Sequence, residues 1–144
     1  MKSVRDDILD QLLITRGDYC LSILLPLHRT GADRMQNQPI LDRASKAAKN
    51  ALRRKISNPQ LMIEKLESLK ARFNPNKPPQ SIGLFVSPGL SELVSFPFVV
   101  REKVIIDETF ETRDLHYLKQ FIAPYYVLML TSRSIKLYFA EGSR

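Results

Sequence analysis

Cysteine occurs once in this 144-residue chain, histidine twice and glycine five times, and each shortage closes off a class of chemistry. Cys20 has no partner for an internal disulfide and no second thiolate with which to build a zinc site, a composition that suits a reducing cytoplasm. His28 and His116 match no metal-ligand spacing with each other or with Asp6 and Asp10, so neither a metal nor another cofactor is expected. The glycines form neither a G-x-G-x-x-G nor a P-loop pattern, and no G-x-S-x-G elbow presents a serine nucleophile. Apolar runs such as Tyr125–Leu130 fall far short of the roughly 20 residues that span a bilayer. Near the N-terminus, Arg5, Asp6, Asp7 and Asp10 interrupt any signal-peptide core. The expectation is a cytoplasmic protein that is not an enzyme and has no membrane partner.

Acidic residues are also in short supply. Fifteen Asp and Glu stand against 22 Lys and Arg, a net charge of +7, and the sequence pI is near 9.7. The resulting positive field attracts polyanions, whether nucleic acid or anionic lipid, and composition does not choose between them. With 44% hydrophobic residues, 26% charged residues and a mean hydropathy of -0.19, the chain belongs among ordinary globular proteins rather than disordered ones. Its length is that of one domain, or of one domain and a fragment of another.

Apolar spacing predicts the elements. Ser3 caps a first helix with Asp6 and Asp7 in its opening turn, and Val4, Ile8, Leu9, Leu12 and Leu13 recur at helical intervals. Gly17 is expected to end that helix in a left-handed turn. Residues 19–25 read as a buried strand, followed by a polar loop that runs on to Pro39. From Ile40, the residues Ile40, Leu41, Ala44, Ala47, Ala48, Ala51, Leu52 and Ile56 fall on one arc of a helix, while Lys46, Lys49 and Arg53, with Arg43 nearby, fall on the opposite arc. A second helix from about Pro59, with Met62, Leu66, Leu69 and Phe73 as its seam, completes a helical hairpin hinged at Ser57-Asn58.

Beyond a proline-rich link at 74–79 the pattern changes to short strands at 82–86, 93–98 and 103–106, the second an edge because of Pro97. Their short connections predict antiparallel neighbours. A helix follows from about Asp114 to Pro124, and then a hairpin of 125–130 with 135–139. The first strand of that hairpin is apolar at alternate and intervening positions alike, so it needs cover on both faces. It pairs with the earlier sheet, with a second copy, or with a domain that lies beyond Arg144. The expected fold class is α+β: a mixed, largely antiparallel sheet with an N-terminal helix and a helical hairpin packed on it, followed by a helix and a β-hairpin.

Three stretches in this order carry a family resemblance: LLPLHRTG at 24–31, GLFVSPG at 83–89 and DLHYLK at 114–119. The chain resembles, over about residues 19–142, bacterial members of the archaeal and eukaryotic class-I release factor superfamily, a group that includes ribosome hibernation factors. The resemblance implies an N-terminal α/β domain over residues 1–111, of the kind that reaches the decoding centre of the small ribosomal subunit. Residues 112–144 would be the opening helix and hairpin of a truncated central domain. Stop-codon readers carry Asn-Ile-Lys-Ser where this chain reads QNQPILDR at 36–43, and Gly-Gly-Gln occurs nowhere in it. Codon reading and peptide release are therefore not implied.

Two groups of residues are candidates for contact with rRNA, the partner expected in the ribosomal A site, on the small-subunit side. Arg43, Lys46, Lys49 and Arg53 are placed to track phosphates; the alternative is a solvated helix face. His28, Arg29, Thr30 and Arg34 project from a loop on a rigid strand; the alternative is a turn in which Thr30 satisfies backbone groups. Tyr125, Tyr126 and Tyr138 form either a base-stacking platform or part of a core. The competing function is an assembly module that dimerises or adds strands through its C-terminal hairpin.

Overall fold

The computed structural model describes residues 4–29, 31–122, 125–130 and 135–140. In chain order the elements are α1 (Val4–Ile14), β1 (Arg16–Pro26), a 3₁₀ turn (Ala32–Gln36), α2 (Asn37–Lys55), α3 (Gln60–Arg72), β2 (Ser81–Ser87), β3 (Leu90–Phe96), β4 (Lys103–Thr109), α4 (Arg113–Ile122), β5 (Tyr125–Leu130) and β6 (Ile135–Ala140). The fold is α+β. Its four-stranded sheet runs β3-β2-β1-β4, and every pairing is antiparallel rather than mixed.

β1 lies inside the sheet and is apolar on both faces, which demands cover on both. Leu21, Ile23 and Leu25 alternate with Cys20, Ser22 and Leu24, and all six are buried. The first set meets α2 and α3 through Leu41, Ala44, Ala48, Leu52, Met62, Leu66 and Leu69, with Ile82, Leu84 and Val86 from β2. The second set, apart from the polar Ser22, meets α1 and α4 through Leu9, Leu12, Leu115 and Leu118, with Phe85, Val94, Phe96 and Phe110. Helices therefore cover both faces. The boundary expected after Glu111 falls between β4 and α4, yet α4 shares this second core with α1, and Lys119 pairs with Asp10 across them.

Two buried serines of the sheet are matched to backbone. The Ser22 hydroxyl accepts from the Glu111 N–H at 2.9 Å, and the Ser81 hydroxyl accepts from the Val100 N–H at 3.0 Å. Gly83 leaves room for aromatic rings: a Cβ there would lie 2.6 Å from Phe85 Cε2 and 2.9 Å from Phe96 Cε2.

Several expectations are corrected. Gly17 does not end α1 in a left-handed turn; it is already part of β1, and among the described residues the positive φ belongs to Gly31. The sheet supplies the reason, because β1 pairs with β4 as far back as Arg16↔Thr109. β3 and β4 are not neighbours, since β4 crosses to the far side of β1. β3 is an edge strand as Pro97 predicts. The first helix of the hairpin, α2, begins at Asn37, not Ile40, after a 3₁₀ turn that replaces part of the expected loop. β5 and β6 pair with each other from Tyr125↔Ala140 to Leu130↔Ile135, as a sheet separate from the first. The expected cap at Ser3 and the helix stop at Pro124 lie outside the described residues.

Candidate nucleic-acid interface

The loop after β1 is built on Asn37, a fully buried side chain in the first turn of α2. Its Oδ1 accepts from the His28 N–H at 2.8 Å, and its Nδ2 donates to the His28 carbonyl at 2.6 Å. One residue earlier, the Leu27 N–H donates to the Gln80 carbonyl at 2.9 Å. The backbone is thus held while the His28 and Arg29 side chains stand exposed. Gly31, at φ 69 and ψ -163, adopts a conformation that only glycine visits freely. The chain then enters the 3₁₀ turn, where the Arg34 N–H donates to the Gly31 carbonyl at 3.3 Å. Thr30 lies outside the described residues.

This path brings Arg29 and Arg34 to one open cleft of about 470 Å³, completed by Asn76, Lys77 and Pro78 from the link between α3 and β2. Asn74 shapes that second wall. Its Oδ1 accepts from the Asn76 N–H at 2.9 Å and its carbonyl from the Lys77 N–H at 3.3 Å. Lys77 was not among the expected site residues. It sits in a stretch of Asn and Pro that reads as chain punctuation, and the β1–β2 pairing, extended by the Leu27–Gln80 bond, brings that stretch beside the strand end.

The cations of α2 fall into two kinds. Lys49 turns to α3 and pairs with Glu67, with 24% of its side chain exposed. Burial pushes the Lys49 ammonium below the ordinary lysine range, and Lys70 and Arg53 nearby push it further. Lys70 pairs with Asp42 at 3.0 Å, and its hydrogen bond holds the Asp42 carboxyl below the usual carboxylate range. These pairs fasten the two helices together. Arg43 meets Glu102 at 3.6 Å in an exposed contact. By contrast, Lys46, Arg53 and Arg54 are exposed and have no acidic partner among the described residues. Arg53 donates to Asn50 Oδ1 at 3.3 Å.

No family model matches the chain, and no curated protein matches it.

All three stretches behind the expected release-factor resemblance owe residues to packing: in the stretch at 24–31, Leu24, Leu25 and Leu27 are buried. In the stretch at 83–89, Gly83 and Phe85 fit the aromatic core, and in the stretch at 114–119, Leu115 and Leu118 are buried while Lys119 reaches Asp10. Tyr117 rests edge-on against Phe98, with ring centroids 4.7 Å apart. The stretch at 24–31 also leads into the cationic cleft, through Arg29. Among the described residues no group of three or more His, Cys, Asp or Glu side chains gathers to hold a metal. No described helix is long and apolar enough to cross a membrane.

Proposed function

We propose that this chain is a non-catalytic module that binds ribosomal RNA in the A site, on the small-subunit side, the function implied by its resemblance to release and hibernation factors. The observation that supports it is the exposure of Arg29, Arg34, Lys46 and Arg53 without an acidic partner among the described residues, in a chain of net charge +7. Cations left unpaired on a surface are free to replace the counterions of a phosphate backbone. Arg54 belongs with them, whereas Lys49 serves the helical hairpin. Co-sedimentation with bacterial ribosomes over a salt series tests the reading. Binding is expected to weaken steeply with salt and to fall when Lys46→Glu and Arg53→Glu are combined. Failure to pellet with ribosomes at low salt, or pelleting that ignores this double substitution, overturns it.

The β5–β6 hairpin favours a second reading, as an assembly module. Two-stranded sheets are marginal alone in water, and β5 is apolar at every position of Tyr125–Leu130. A second copy or a larger protein would cover it by strand addition. Size-exclusion chromatography with light scattering separates the readings: a tight dimer that ignores RNA supports assembly, and a monomer overturns dimerisation.

A further inference from the structure

The cleft between the two loops has the size, charge and rigidity of a ligand site. Its volume of about 470 Å³ lies within the range of roughly 300–1,000 Å³ typical of small-molecule sites. Arg29, Arg34 and Lys77 line it, and among the described residues no carboxylate does. Three cations around one concavity repel one another until an anion enters, and the planar fork of a guanidinium matches the oxygens of a phosphate. Asn76 adds a carboxamide that can both donate and accept, and Pro78 adds an apolar surface. Those two features suit a sugar hydroxyl and the flank of a ribose or base, which inorganic phosphate lacks.

Both walls are already in place. Asn37 holds the His28 peptide, Gly31 sets the turn between the two arginines, Asn74 shapes the turn before Lys77, and the Leu27–Gln80 hydrogen bond joins one wall to the other at the base. A site organised before binding loses less entropy when the ligand arrives.

We propose that this cleft binds the phosphate of a nucleotide, with Arg29, Arg34 and Lys77 on the phosphate oxygens and Asn76 and Pro78 against the attached nucleoside. The proposal deepens the RNA-binding reading and rests on it for the choice of nucleotide over other phosphates. The nucleotide is either free or part of an RNA strand, and the chemistry of recognition is shared.

The test is a titration of the isotopically labelled chain, followed by NMR, with adenosine 5′-monophosphate, adenosine, a 5′-phosphorylated RNA trinucleotide and a phosphoserine peptide. The monophosphate is expected to shift amide signals of residues 28–34 and 76–77 in a saturable way, and adenosine to bind at least about tenfold more weakly, since a hydrogen bond to a charged group is lost. Lys77→Gln and Arg34→Gln should each weaken the monophosphate by about tenfold. Arg113→Gln, which removes the same charge at the start of α4, should leave it unchanged. The trinucleotide binding more tightly than the monophosphate identifies a strand, the reverse identifies a free nucleotide, and either supports the proposal. Equal affinity for adenosine, equal weakening by Arg113→Gln, or a tighter phosphoserine peptide overturns it. Ribosome pelleting without monophosphate binding would sink the cleft and spare the RNA reading, and the opposite pair of results would do the reverse.

Discussion

The carboxamide of Asn37 grips the peptide of a residue nine positions earlier, accepting from the His28 N–H and donating to the His28 carbonyl. A side chain that satisfies both backbone groups of one residue substitutes for a strand partner at the point where β1 has run out of neighbours. The loop carrying Arg29 and Arg34 is thereby tied to the first turn of α2.

Asn37→Ala should cost about 1–3 kcal/mol of stability in urea unfolding, since two hydrogen bonds go and the His28 backbone is left partly buried. Asn37→Asp keeps the acceptor for the His28 N–H but sets a carboxylate against the His28 carbonyl. It should destabilise the chain too, and hydrogen exchange at the His28 and Arg29 amides should speed up in both variants.

Gly83→Ala forces a methyl into two phenyl rings and should cost about 1–3 kcal/mol by overpacking. Gly89→Ala, with nothing within 4 Å of its Cβ, should stay within about 0.5 kcal/mol of the parent. Thermal denaturation of the pair separates packing from a general effect of removing glycine.

Ser45 is buried in α2, and its hydroxyl has no hydrogen-bond partner among the described residues. Ser45→Ala removes that group and raises helix propensity, so the midpoint of urea unfolding should move up by the equivalent of about 1 kcal/mol.

The Asp42–Lys70 pair makes the helical hairpin sensitive to acid. Folding lowers the Asp42 pKa, so its contribution is complete above the usual carboxylate range and is lost as the pH falls through the folded value. The carboxylate is half exposed, which limits the amount to under about 1 kcal/mol. Asp42→Asn should flatten the acid limb of a stability-against-pH curve by that much and leave the neutral-to-acid shape otherwise unchanged.

Cys20 should be slow to alkylate. Burial raises its thiol pKa and the Asp107 carboxylate raises it further, so little thiolate is present near neutral pH. Reaction with iodoacetamide should be orders of magnitude slower in the native chain than in urea. A native rate close to the denatured one would show that β1 opens readily.

Much of the architecture was legible in residue spacing. The apolar run of β1, the seam of Met62, Leu66 and Leu69, and the edge position announced by Pro97 are local patterns, and local patterns survive into the fold. The candidate site was legible only in part. Lys46 and Lys49 share one polar arc by spacing, yet α3 leaves the first exposed and engages the second with Glu67. Asn37 looked like one more polar loop residue, because nothing near it in the chain says that it is buried.

Composition and periodicity alone were enough to specify a basic α+β chain, since charge is a sum over residues and amphipathic spacing acts within a single element. Folding had to decide which glycine takes the positive φ, which cations find acids and how Lys77 comes to face Arg29 and Arg34. Those outcomes depend on contacts between segments far apart in the chain, where the crossing of β4 to the far side of β1 and the stacking of α3 beside α2 set distances that no local pattern encodes.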